Sequence, residues 1–161
     1  KLQMLRTAPQ PRGWTLGPML ATGLTLRHYK AFEGCPSLSE VKERVASERP
    51  ELDRFGIHVM ASQNASGEVV LGDSHEYGGP FSPGTSDEID AVMLERIHAM
   101  FHLPDRAIAA RWSGVYLKRK DGGTGWVFEP CDGVMIVTGM GGSGMTCSFG
   151  LAEEVLDSIL S

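Results

Sequence analysis

The chain has 161 residues, is 42% hydrophobic and 22% charged, and carries a net charge of −5. That length suits one domain with a core of its own, and that composition excludes disordered and collagen-like classes. The acidic balance argues against a nucleic-acid surface, and no apolar run approaches the roughly 20 residues of a membrane span.

The first residues, Lys1 to Arg6, lack a signal-peptide layout and contain no initiator methionine. They open inside a strand pattern, Leu2 to Thr7, so the chain is expected to be a piece of a longer one. A Pro/Gly-rich loop follows. Thr22 to Tyr29 then alternates apolar and polar residues and predicts a strand, with Leu24 and Leu26 on one face and Arg27 and Tyr29 on the other. Ser37-Leu38-Ser39-Glu40 spells a capping box for a helix with Leu38, Val41 and Val45 on one side, closed by Pro50. Gly56 to Gln63 and Glu68 to Ser74 predict a hairpin across Asn64-Ala65-Ser66-Gly67.

A second capping box, Thr85-Ser86-Asp87-Glu88, opens a helix with Ile89, Val92, Met93, Ile97, Met100 and Phe101, ending near Pro104. Ala107 to Lys118 predicts a long strand, turned back at Asp121-Gly122-Gly123 into Gly125 to Phe128. Val134 to Thr138 predicts a buried strand, and a final amphipathic helix carries Leu151, Val155 and Ile159. Hairpins separated by single helices predict an α+β fold, an antiparallel sheet with helices gathered on one face.

Between the last strand and helix lies Gly139-Met140-Gly141-Gly142-Ser143-Gly144, which matches G-x-G-x-x-G. A dinucleotide fingerprint also needs a following strand and an acidic residue about 20 positions on, and the chain stops first. The segment therefore predicts one side of a site completed elsewhere. Free N–H groups and the helix dipole favour negative charge there, and four glycines in six residues exceed what close packing needs.

Other chemistry-bearing spellings are weaker. His98 and His102 stand at i and i+4, but position 99 is alanine where a zinc hydrolase has its glutamate, so a packing role is expected and no metal site. Ser74-His75-Glu76 has triad letters, yet adjacent strand residues point to opposite faces; His75 alone is a pocket candidate. Arg111-Trp112-Ser113-Gly114-Val115-Tyr116 suits the close approach of a flat ligand, or else an ordinary sheet. Lys118-Arg119-Lys120 is expected to be a solvated hairpin tip. The three cysteines, Cys35, Cys131 and Cys147, form no C-x-x-C; buried or loop thiols in a reducing cytoplasm are expected.

The stretch from Gly139 to Thr146 and on through Gly150-Leu151-Ala152-Glu153 resembles the end of the D-amino-acid oxidase family, FAD-dependent enzymes that include glycine oxidase and sarcosine oxidase. Arg111 to Tyr116 is similar to the family's strand beside the substrate. The resemblance implies an FAD-dependent oxidoreductase acting on CH–NH bonds, with a substrate-binding part over 1–133 and a strand-turn-helix over 134–161 that completes the flavin site. It also implies an absent N-terminal FAD-binding half as partner, without which the chain is inactive. Cofactor contacts would come from Gly139, Met140, Gly141, Gly142, Ser143, Gly144, Met145 and Thr146, and substrate contacts from Tyr116, Tyr29, Arg27, His75 and Arg111.

Gly23 to Tyr29, Gly56 to Met60 and Gly72 to Tyr77 look like a bacterial branch associated with phosphonate breakdown, which implies an aminophosphonate substrate. The chain departs from its relatives in three places. Tyr116 stands where glycine-oxidase-like enzymes have a carboxylate-binding arginine, Thr146 where sarcosine oxidases have a lysine, and Gly114 where theirs is the flavin-linking cysteine. Non-covalent FAD is therefore implied, with Arg27 and Arg111 as alternative anion donors. A non-catalytic α+β interaction module and a stand-alone nucleotide-binding enzyme remain the competing classes.

Overall fold

The computed structural model describes residues 1–121, 123 and 125–160. They divide into two compact units, Lys1–Gly114 and Val115–Ser161. The fold is α+β, as the element pattern predicts. No helix among the described residues is long and apolar enough to cross a membrane.

The first unit is built on β1 (Leu2–Pro9), which lies between β4 (Glu68–His75) and β5 (Ile108–Gly114) and pairs antiparallel with both. β3 (Met60–Gln63) extends the sheet beyond β4, and the two-residue β2 (Leu20–Ala21) forms its edge, giving the order β2-β3-β4-β1-β5. Alternation along β1 buries Gln3, Leu5 and Thr7 on one face. Helix α4 (Asp87–Met100) contributes Ile89, Met93 and Ile97 to the same core as Leu5, Val69 and Leu71. Leu52 comes from the short α3 (Pro50–Arg54), and Ile57 and Val59 from the segment before β3. The longer α2 (Leu38–Glu48) buries no residue completely.

Several expectations shift. Residues 22–29 do not form a strand: Gly23–Leu26 is a single helical turn, α1, held by Thr22 N–H donating to Val59 O at 3.0 Å. Short-range alternation over eight residues yields here to tertiary pairing. The Ser37 side chain makes no capping bond, and Pro50, which follows the end of α2, occupies the first turn of α3, where its missing N–H has no cost. The second cap is Ser86 rather than Thr85, and its side chain accepts from Ile89 N at 3.5 Å. The strand expected over 107–118 runs only from Ile108 to Gly114.

In the second unit β6 (Trp126–Cys131) pairs with β7 (Val134–Thr138), not with the strand before it. The turn foreseen at Asp121-Gly122-Gly123 includes Gly122, which lies outside the described residues. Residues Gly141–Ser143 form one 3-10 turn, and α5 (Gly144–Leu160) follows directly.

Two buried glutamines, Gln3 in β1 and Gln10 just past its end, fasten the residues at the start of α4 and those that follow it. The Gln3 amide accepts from Ser86 N at 2.7 Å, donates to Ser86 O at 2.9 Å, and also donates to Asp90. Gln10 does the same at the far end, accepting from Asp105 N at 3.0 Å and donating to Asp105 O at 2.8 Å. Gln3→Ala would leave the Ser86 backbone and the Asp90 carboxylate short of partners, which costs about 1–3 kcal/mol. The expected outcome is a lower urea midpoint for this variant and a lower one still for Gln3→Glu, which places a second acid beside Asp90. An unchanged midpoint for Gln3→Ala contradicts this account.

Candidate functional site

In the second unit the strand-turn-helix has the predicted shape. Gly139 and Gly141 adopt φ values of +77° and +60°, which side-chain-bearing residues rarely do. A Cβ at Gly142 would lie 3.8 Å from the Tyr116 hydroxyl oxygen. Gly142, Ser143, Met145 and Thr146 are exposed, so the turn is not filled by side chains of this unit. The Ser143 hydroxyl donates to Met140 O at 3.1 Å. A cavity of about 420 Å³ adjoins the turn, lined by Leu117, Lys118, Arg119, Trp126, Thr138 and Gly139. The foreseen basic tip is partly neutralised: Arg119 pairs with Asp121 and donates to Gly125 O at 2.5 Å. That guanidinium, with the Gly123 N–H, holds the Asp121 carboxyl far below its ordinary range.

An exposed glycine turn that opens a 17-residue helix fits a flat-edged group that gains negative charge, such as the ring end of FAD on reduction: the backbone can be approached closely and the dipole has the right sign. The helix is also apolar on two faces. Leu151 is half-buried and Val155 buried, whereas Met145, Phe149 and Leu160 are 90%, 87% and 82% exposed. Among the described residues of this unit, Val155 is the one buried side chain.

In the first unit the two candidate arginines both meet carboxylates. Arg27 caps the C-terminus of α1 instead of projecting from a strand; it is buried, donates to Leu24 O at 3.1 Å and pairs with Asp53. Its Nη2 is buried without a hydrogen-bond partner. Arg111, on β5, donates to Asp90 Oδ2 at 2.6 Å. Asp53 and Asp90 were not foreseen, because no spacing rule joins them to residues 26 and 21 positions away. Tyr29 is exposed just past α1. A cavity of about 450 Å³ is lined by Arg27, His28, Lys42, Glu43, Ala46 and Asp53.

His75 belongs to a group that sequence spacing does not reveal. His28 stacks on His58 with ring centres 4.1 Å apart, His58 lies 4.6 Å from His75, and His75 stacks on Tyr77 at 6.2 Å. His75 Nε2 stands 3.6 Å from Asp73 Oδ2. Burial pushes the Asp73 carboxyl above its ordinary value, opposed by the neighbouring His75. The register between β1 and β4 shifts at Asp73, which has no partner in β1. Irregularities of this kind re-aim side chains. Gly56 is required beside it: φ is +54°, and a Cβ there would come within 2.7 Å of His75 O. The triad letters do not converge, for Ser74 Oγ accepts from Gln3 N at 3.2 Å while Glu76 pairs with Lys1 Nζ at 3.2 Å.

The remaining candidates are peripheral. His98 lies on α4, but His102 lies beyond its end at Met100, so the two do not share a helical face. Cys35, Cys131 and Cys147 are all exposed; Cys35 is a loop thiol as expected, whereas Cys131 ends β6 and Cys147 lies on α5.

Together these features define an α+β protein with an exposed, glycine-lined turn at the head of its last helix. The family model described as DAO, FAD dependent oxidoreductase, matches residues 13–158, nearly the whole chain, and the chain belongs to that family. The activity class of the family is FAD-dependent oxidoreduction. No curated protein and no solved structure matches the chain.

His98 offers a direct test of the packing role. Desolvation, and then the charge of Arg106, lowers its pKa from 6.5, and its buried Nε2 has no hydrogen-bond partner. As pH falls through 6.5 toward the lower folded value, the unfolded chain takes up its proton first, so stability present at neutral pH is lost in that window. His98→Gln is expected to flatten this part of the pH dependence of urea unfolding. An NMR titration should give His98 a midpoint below that of a free imidazole; a midpoint at or above it refutes the assignment.

Proposed function

We propose that this chain forms the substrate-facing sheet and one flavin-contacting wall of a cytoplasmic FAD-dependent amine oxidoreductase. Its substrate would be an aminophosphonate or an amino acid. The observation that carries this reading is the open glycine turn at the head of α5, with the Tyr116 hydroxyl beside it. Membership of the FAD-dependent family supports it.

Gly139 to Thr146 would hold the cofactor non-covalently, since Gly114 offers no thiol for a covalent link. FAD, when bound, supplies the hydride acceptor. The chain supplies the field: N–H groups of Gly142 to Met145, backed by the helix dipole, favour negative charge at the turn in the manner of an oxyanion hole. Tyr116 would orient the amine, so that its nitrogen lone pair could form the C=N bond as hydride leaves the neighbouring carbon. The resulting imine hydrolyses in water. Arg27 retains an unpartnered Nη2 as a donor for a phosphonate or carboxylate oxygen, and Arg111, Tyr29 and His75 complete the substrate-facing set. The two apolar faces of α5 support a flavin-binding half as the partner that covers Met145, Phe149 and Leu160, since a helix apolar on both sides belongs in an interior.

Two outcomes are expected. The 161-residue chain purified alone is colourless, and a flavin absorbance band that co-purifies with it overturns the two-part reading. In the flavin-loaded enzyme, Tyr116→Phe lowers kcat/KM about tenfold with flavin content unchanged, whereas Gly142→Val weakens FAD affinity. Equal FAD affinity for Gly142→Val and the parent enzyme removes the turn from the cofactor site.

A further inference from the structure

His58 lies in the segment before β3 and Asp73 and His75 at the end of β4, and their donor atoms all lie within 4.8 Å of one another. The 3.6 Å between His75 Nε2 and Asp73 Oδ2 is too long for a hydrogen bond. It is close to the roughly 3.4 Å that separates two donors of a tetrahedral centre with bonds of about 2.1 Å. Asp73 Oδ1 is buried and accepts no hydrogen bond among the described residues. A buried carboxylate oxygen in that state is costly, and a cation compensates it.

Backbone hydrogen bonds frame these donors. His58 N donates to Asp73 O at 2.8 Å, and His75 N donates to Phe55 O at 2.9 Å, so the two segments are fastened on either side of the cluster. Two imidazoles and one carboxylate form a borderline donor set that suits zinc and its neighbours better than magnesium or calcium. A cavity of about 510 Å³, lined in part by His28, Phe55, His75 and Tyr77, reaches the cluster from solvent.

We propose that His58, Asp73 and His75 bind one divalent metal ion of the zinc class, whose remaining coordination position is reached through the cavity that His75 lines. A water molecule or an anionic ligand occupies that position. The site fastens the segment before β3 to the end of β4. It does not depend on the flavin assignment, and metal binding by this chain alone decides it.

Cobalt(II) is the probe, added to metal-stripped chain and followed by visible absorption. One equivalent is expected to bind, with the intense bands of a four-coordinate site, and one equivalent of Zn²⁺ should displace it. Asp73→Ala and His75→Ala are expected to weaken binding about 100-fold or more, since changes to the outer partners of ligands alone cost 10–100-fold. The exposed His102→Ala should bind as the parent does. His75→Cys keeps a donor in place, so it should retain Co²⁺ and add a thiolate-to-cobalt band in the near ultraviolet, a readout that stands even where an alanine variant fails to fold. Absence of saturable one-to-one binding by the parent chain overturns the proposal. So does parent-like affinity in folded Asp73→Ala, or cobalt bound to His75→Cys without a thiolate band.

Discussion

Two side-chain amides, one in β1 and one just past its end, tie the first unit together. Gln3 and Gln10 each present a C=O and an N–H to a backbone segment as a neighbouring strand would, one at Ser86 where α4 begins and one at Asp105 after it ends. A purely apolar β1 face would bury area against α4 without fixing where along the strand the helix sits. The amides fix it, because a displaced helix leaves several buried polar groups unmatched. Thr7 adds to the effect, accepting from Val69 N at 3.0 Å and tying β4 to the same strand. The position of Asp73 opposite the gap in the β1 ladder follows from this register.

Much of this architecture is legible as pattern. β1, β4, β7, α4 and α5 all fall where the pattern places them, and burial in the first unit follows, but the strand Val134–Thr138, expected to be buried, leaves Val134, Ile136 and Val137 exposed. What the pattern misses is non-local. Residues 22–29 alternate like a strand, yet after Thr22 N donates to Val59 O the chain turns back on itself, with Thr25 N donating to Thr22 O, and Gly23–Leu26 is a helical turn. β6 pairs forward with β7 because the short connection from Cys131 to Val134 closes a hairpin, a contact more local than the one foreseen with the strand before it.

The site shows the same division. The glycine turn was readable because its chemistry is contiguous in the chain. The engagement of Arg27 by Asp53 and of Arg111 by Asp90 was not, since only the folded sheet and helices bring those groups together. A buried guanidinium is seldom left without an acid nearby, and that rule would have prompted a search for partners but could not have chosen among 20 acidic residues. The histidines at 58 and 75 were likewise visible as letters. Alternation places Asp73 and His75 on one face, but the approach of His58 depends on Gly56 and on the pairing of Phe55 with His75.

The second unit carries a thermodynamic consequence in its single buried side chain, Val155. A segment of this size with so small an interior gains little from desolvation to set against its chain entropy. On the proposed two-part reading, a partner surface that shelters Phe149 and Leu160 would also lend the free energy that keeps Gly139 to Gly144 in its bound-ready form. On that reading sheltering and ligand capture would be linked functions of state: each would raise the apparent affinity of the other by the same factor, and an affinity measured with the helix bare would understate the intrinsic one by the fraction of molecules so arranged.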